Sequence, residues 1–325
     1  MKYTPGNIRM WSRLGPSGAM SAAMLELGQT CDKMLLLSAD MSVVSGAERF
    51  KLRYPDRHFE VGIAEQMLIG MAAGLANEGF IPYTLTYGTF LSTRAMDQVK
   101  MNLAYMKHNV KMVGVLSGLC PGLLGPTHVA IEDIAIMRAV PNITILCPAD
   151  GAEIVKAIIA AATWEGPVYL RMTGSLELPI IHNEDFTFEI GKAMELSEGQ
   201  DVQIIATGCI AAAAVDACRI LEDDGVSCGV TNMHTLRPLD TACLNKHAHR
   251  ARLIVTLEEH KREGGLGSAV CEYLCDQGFS VPVMRIGLPD VYPGAASYGA
   301  LLEEAGLTAS AIAQRIKERM IGGSK

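Results

Sequence analysis

The stretch Val61-Gly62-Ile63-Ala64-Glu65-Gln66-Met67-Leu68-Ile69-Gly70 sets one carboxylate among apolar neighbours. At helical spacing Ile63, Met67 and Gly70 share a face, and Met71, Ala72 and Ala76 extend the apolar surface. Glu65 falls among them. Withdrawing an ionised carboxylate from water costs several kcal/mol unless a partner meets it. A Glu kept in such a place is a candidate for proton chemistry. From the residues alone, the alternative is a Glu on the polar side of an amphipathic helix.

Outward from this helix, apolar runs alternate with helical patterns. Met34–Leu37, Ile81–Leu85, Lys111–Leu116, Ile143–Cys147 and Pro167–Arg171 read as strands. Ala19–Leu27, Ala64–Asn77, Arg94–Tyr105, Glu132–Arg138 and Glu153–Thr163 read as helices between them. Such alternation implies a mainly parallel sheet covered by helices on both faces, with ligands expected outside the carboxyl ends of the strands. Met172–Gly191, with Pro179, His182 and mixed charges, reads as a linker. A second series follows, with strands expected at Val202–Thr207, Ser227–Thr231, Leu253–Thr256 and Val281–Ile286, and helices at Ala211–Leu221, Ser268–Cys275 and Ala309–Arg319. The expectation is an α/β chain of two domains, residues 1–185 and 186–325, each a mainly parallel sheet flanked by helices.

Composition narrows the class. The 325 residues are 49% hydrophobic and 19% charged, which suits large buried surfaces, and the net charge of -7 argues against nucleic acid as a partner. No apolar run reaches the length needed to cross a bilayer. The start, Met-Lys-Tyr-Thr-Pro-Gly, has no apolar core of a signal peptide. The nine cysteines form no CxxC pair, and Cys271 and Cys275, four apart in an apolar helical pattern, read as buried thiols, which points to a reducing cytoplasm.

Gly62-Ile63-Ala64-Glu65-Gln66 resembles the signature of the transketolase pyrimidine-binding domain, which also occurs in 1-deoxyxylulose-5-phosphate synthases and in beta subunits of 2-oxoacid dehydrogenases. Further landmarks follow in the family's order: Ser38-Ala39-Asp40, Tyr87-Gly88-Thr89-Phe90, Arg94-Ala95-Met96-Asp97-Gln98, Gly125-Pro126-Thr127-His128 and Pro148-Ala149-Asp150. Leu236-Arg237-Pro238-Leu239-Asp240, Glu258-Glu259-His260 and Gly264-Gly265-Leu266-Gly267 resemble the family's last domain. The likeness spans roughly residues 15–315, and this many motifs in one order are specific where any one alone is weak.

The resemblance implies thiamine diphosphate as cofactor. It makes Glu65 the acid that bonds a ring nitrogen of the aminopyrimidine and activates the cofactor, and Phe90 the aromatic that stacks on that ring. Asp40 matches an Asp close to the cofactor. His128 matches the active-site His that bonds the donor sugar near its carbonyl. Arg94 falls where related enzymes carry an Arg near substrate, and Arg171 where the family binds a phosphate. Each has a plainer alternative: a core Phe, a loop or capping Asp, a satisfied loop His, a surface Arg, a structural ion pair. The Gly-Asp-Gly motif that holds the diphosphate through Mg²⁺ in full-length members does not occur here. That implies a C-terminal subunit whose N-terminal partner supplies the metal ligands, with an expected heterotetramer or a dimer of this chain.

The pattern breaks at the donor turn. Family members read Gly-Glu-Asp-Gly-Pro-Thr-His, and this chain has Leu123 and Leu124 before Gly125. A second sugar-binding His is replaced by Leu116. The usual pentose phosphates should therefore fit poorly, and a modified or shorter ketose is expected. The leading reading is transfer of a two-carbon ketol unit from a ketose to an aldehyde. The alternatives are the beta subunit of a 2-oxoacid decarboxylating complex and a non-catalytic assembly subunit.

Overall fold

The structure is a computed structural model that describes residues 1–322. Its strands, numbered in chain order, are β1 (Met34–Ser38), β2 (His58–Glu60), β3 (Ile81–Tyr87), β4 (Lys111–Val115), β5 (Thr144–Leu146), β6 (Val168–Arg171), β7 (Met194–Ser197), β8 (Val202–Thr207), β9 (Cys228–Asn232), β10 (Thr235–Arg237), β11 (Leu253–Lys261) and β12 (Val283–Leu288). They form a seven-stranded sheet in the order β10-β5-β6-β4-β3-β1-β2 and a five-stranded sheet in the order β12-β11-β8-β9-β7. Every pairing is parallel except β10 with β5 and β7 with β9.

Burial explains why the central strands read as unbroken apolar runs. Every residue of β1, β4, β6 and β8 is buried. A parallel sheet covered on both faces removes the polar alternation that one wet face would impose. Successive side chains still take opposite sides. Leu36 joins a core with Trp11, Met24 and Ile154, while Leu35 and Leu37 join one with Leu68, Ile69 and Ala72. The first layer is built by the helices Pro5–Thr30 and Gly151–Thr163, the second by Glu65–Asn77. Asp150 caps the Gly151–Thr163 helix by accepting from Glu153 N–H.

Three short strands escape the sequence pattern: β2, β7 and β10. β10 matters most, because a segment beyond the Met172–Gly191 linker supplies the edge of the first sheet, where Thr235 lies opposite Leu146. The second apolar layer is accordingly continuous across both halves and takes in Met233, Leu236, Leu244 and Ile254. The expected helix Arg94–Tyr105 begins at Met96 and continues as a π-helix from Val99 to Tyr105. Among the described residues no helix is long and apolar enough to cross a membrane.

Candidate active site

The carboxyl ends of β1, β2 and β3 and the loop after β4 converge on one cleft of about 390 Å³. Its lining includes Asp40, Glu65, Tyr87, Phe90, Arg94 and His128. Five of the six residues singled out from the sequence thus meet in one place. Asp40 follows β1 in a left-handed conformation (φ 56°) that short polar side chains tolerate, and its N–H donates to Glu60 Oε1 at 2.6 Å. Glu65 is the first residue of its helix, where unpaired N–H groups favour a negative charge.

The Glu65 helix lies the other way round from its apolar pattern. Ile63 and Met67 are 74% and 63% exposed, whereas Glu65 is 2% exposed. The helix starts at Glu65, so Ile63 precedes it, and the buried stripe is Leu68, Ile69, Ala72 and Ala73. The carboxylate is turned inward and two large apolar side chains are turned out.

The Glu65 side chain has one hydrogen-bonding partner among the described residues. Arg94 Nη1 donates to both carboxylate oxygens, at 2.9 and 3.0 Å. The same guanidinium lies 4.0 Å above the Phe90 ring. Arg94 itself is 47% exposed. A flat, cationic, hydrogen-donating group therefore sits on an aromatic face and faces a buried carboxylate. An aminopyrimidine ring that carries a proton on its ring nitrogen would offer a planar donor to the same two residues, so the site fits such a ring.

His128 completes the aromatic wall. Its ring stands edge-on to Tyr87 at 5.0 Å and to Phe90 at 5.4 Å. Thr127 Oγ1 and His128 Nδ1 share a hydrogen bond of 2.9 Å, while Nε2 makes none among the described residues. Tyr87 was in a quoted motif without a role; its place at the end of β3, where ligands gather, was the available signal. Glu60 also went unread. Its carboxylate takes Asp40 N–H and the Ser42 hydroxyl, and only folding brings β2 beside β1.

Arg171 lies outside the lining of this cleft. Expected as an anion reader, it is 1% exposed, and its Nε and Nη2 donate inside the protein. Nε donates to Asp133 Oδ2 at 2.8 Å, and Nη2 donates to the carbonyls of Ala130 and Glu259, each at 2.9 Å. The structure thus takes the structural ion pair that the sequence left open as the alternative. Around it lies a network of buried charge. Glu258 caps the helix Leu266–Asp276 by accepting from Leu266 and Gly267 N–H, and burial pushes its carboxyl up to about 8. A Cβ on Gly265 would stand 1.9 Å from Glu258 Oε2, so the glycine motif serves this close approach. His260, neutral because burial pushes it down to about 4, accepts Ala135 N–H on Nε2.

The cleft offers little to a metal. Glu65 is committed to Arg94, which leaves Asp40 as the lining's second carboxylate. Mg²⁺ asks for an octahedron of oxygens. Glu195, Cys243 and His247 gather elsewhere, but Lys246 already pairs with Glu195 at 2.5 Å and burial pushes the Cys243 thiol up to about 12.

Comparison with known proteins agrees across the chain. The family model for the transketolase pyrimidine binding domain matches residues 16–176, and that for the transketolase C-terminal domain matches residues 191–312. A putative transketolase C-terminal section from Methanocaldococcus jannaschii is 38% identical over 298 residues, covering 91% of this chain and 93% of its own length. A 6-deoxy-6-sulfo-D-fructose transketolase subunit from a Clostridium species is 38% identical over 297 residues, covering 91% of each chain. A solved structure of a split-gene transketolase, an inactive beta4 tetramer, superposes with a TM-score of 0.85 at 38% identity, covering 94% of this chain and 97% of that one.

Proposed function

The chain belongs to the transketolase family, and we propose from that premise that it is the C-terminal subunit of a two-chain transketolase. The complex moves a two-carbon ketol unit from a ketose donor to an aldehyde acceptor. Residues 1–185 form the half that carries the cleft, and residues 186–325 the half that supports it. The observation that carries the reading is the buried Glu65 carboxylate, met by a planar cation stacked on Phe90 at the mouth of a cleft.

Thiamine diphosphate, when bound, supplies the carbon that carries the ketol unit. This chain's residues hold and protonate. Glu65 would share a proton with a ring nitrogen of the cofactor, Phe90 would support the ring face, and Tyr87 and His128 brace Phe90 edge-on. Arg94 gives up Glu65 when the ring enters, and its exposed guanidinium is then free for an anionic group of the substrate. His128, tethered at Nδ1 by Thr127, presents Nε2 to a donor hydroxyl or carbonyl. Asp40 holds the cofactor's side of the cleft. The diphosphate and Mg²⁺ fall to an N-terminal partner subunit, since the cleft lacks an oxygen set for the metal. The minimal assembly is a heterotetramer, and the setting is the cytoplasm.

Leu123 and Leu124 are 78% and 49% exposed at the donor turn. Sugar hydroxyls left unpaired against them lose about 1–3 kcal/mol each, which favours a modified or shorter ketose over xylulose 5-phosphate. The relative named for 6-deoxy-6-sulfo-D-fructose supports that direction.

The test mixes the chain with its partner, thiamine diphosphate and Mg²⁺, and offers xylulose 5-phosphate and 6-deoxy-6-sulfofructose with an aldehyde acceptor. Glu65→Ala is expected to lower ketol transfer by about 10²–10⁴-fold. An unchanged rate in that variant sinks the reading. Fast turnover of xylulose 5-phosphate would remove the donor preference alone.

A further inference from the structure

The loop that carries His128 is gripped at its base by the second sheet. We propose that Glu259 is a positioning residue for His128, acting through this loop with Tyr298 as its outer anchor. The inference rests on the role given to His128 above.

The loop closes on itself where Gly118 N–H donates to Ala130 O at 2.9 Å and Ala130 N–H donates back at 3.1 Å. Inside that neck, His128 N–H donates to Gly125 O, so the turn bearing the imidazole hangs from the neck. The neck is fixed by strand β11 of the other sheet. Leu119 N–H donates to Glu259 Oε1 at 2.6 Å, and Lys261 N–H donates to Ile131 O at 2.9 Å. Arg171 ties both sides together by donating to Ala130 O and to Glu259 O. Tyr298 donates its hydroxyl to Glu259 Oε2 at 2.6 Å, so both carboxylate oxygens are engaged.

The carboxylate also fills space that only a glycine leaves open. Gly118 has φ 70°, and a Cβ there would stand 2.2 Å from Glu259 Oε1. Near the tip, a Cβ on Gly122 would stand 2.9 Å from Ala296 O, two residues before Tyr298. Glu259 is 1% exposed and reaches neither Glu65 nor Phe90 by any hydrogen bond among the described residues. Its influence on the cleft therefore runs through the loop. A fixed imidazole is worth this construction because a misplacement of about 1 Å can cost about 10²-fold in rate.

The experiment uses the two-chain complex with thiamine diphosphate, Mg²⁺ and the better of the two donors above. Glu259→Ala is expected to lower kcat by about tenfold to a hundredfold, with cofactor affinity by calorimetry held within about twofold. Amides of residues 118–130 should exchange hydrogen roughly tenfold faster while those of 65–77 do not change. Glu259→Gln keeps an acceptor for Leu119 N–H and should recover most of the rate. If Glu259→Ala does not fold, Tyr298→Phe removes a single hydroxyl and should show the same pattern more weakly. Unchanged loop exchange in Tyr298→Phe and in any folded Glu259 variant overturns the proposal, as does a loss of kcat matched by an equal loss of cofactor affinity. A wild-type complex without ketol transfer removes the functional reading instead, and loop exchange then decides the clamp alone.

Discussion

Among the described residues two buried acids pair with an arginine, and the two arginines differ. At Glu65 the acid is buried but its arginine is 47% exposed and holds one side of a cleft. At Asp133 both partners are buried, and the arginine's Nη2 donates to two backbone carbonyls. A buried charge with an exchangeable partner is a place a ligand can take. A buried charge with fixed partners is scaffolding. Sequence could not rank them, because Glu65, Arg94 and Arg171 all sit in family motifs.

The largest effect separating the two should come from Arg171→Met. It would strand Asp133, which is 0% exposed, and release the two carbonyls that join the sheets. Breaking one side of such a pair typically costs about 3–5 kcal/mol. Urea unfolding of the purified chain measures it, and a loss below about 1 kcal/mol would put Arg171 in the same class as Arg94.

A smaller effect reads the scaffold by pH. His260 is pushed down to about 4 from 6.5, first by burial and then by Arg171 against the pull of Asp133. Its folded value is depressed, so it contributes stability that is present above pH 6.5 and lost as pH falls toward 4. The full swing is at most about 3 kcal/mol. Glu258 acts in the opposite sense: raised to about 8, its ionisation costs stability as pH rises from 4.5 through 8. The measurement is therefore a difference. Between pH 6.5 and 4, His260→Gln should lose less stability than the parent chain, and parallel curves would mean that the ring titrates in the fold as it does in the unfolded chain.

The legible part of this molecule was the part written in continuous runs. β1, β3, β4, β6 and β8 were visible because burial on both faces leaves unbroken apolar stretches. β2, β7 and β10 were not, because they are short, partly exposed edge strands without an unbroken apolar run and are fixed by the neighbour they meet. In the cleft, Glu65, Phe90, Arg94, Asp40 and His128 were found by motif, but their mutual arrangement was not. The apolar pattern around Glu65 even pointed the wrong way, since Ile63 and Met67 are exposed. Arg171 kept two readings because a strand-end arginine looks the same whether it faces a ligand or a buried Asp. Only the pairing with Asp133, 38 residues away, tells them apart.

The smallest effect is the most diagnostic of the cleft. Arg94→Ala clears the Phe90 face and removes the cation that meets Glu65. With one partner exposed, the pair should be worth about 1 kcal/mol to the free chain. If the guanidinium holds the place that the cofactor ring takes, the energy the free chain loses must reappear as tighter cofactor binding, because the competitor is gone from the starting state. About 1 kcal/mol corresponds to about fivefold in affinity. The complex should thus bind thiamine diphosphate more tightly in the variant while its KM for an anionic substrate rises. Matching magnitudes from unfolding and from calorimetry would tie the two to one contact. Weaker cofactor binding would instead mean that Arg94 touches the bound cofactor, and the exchange of partners at Glu65 would not take place.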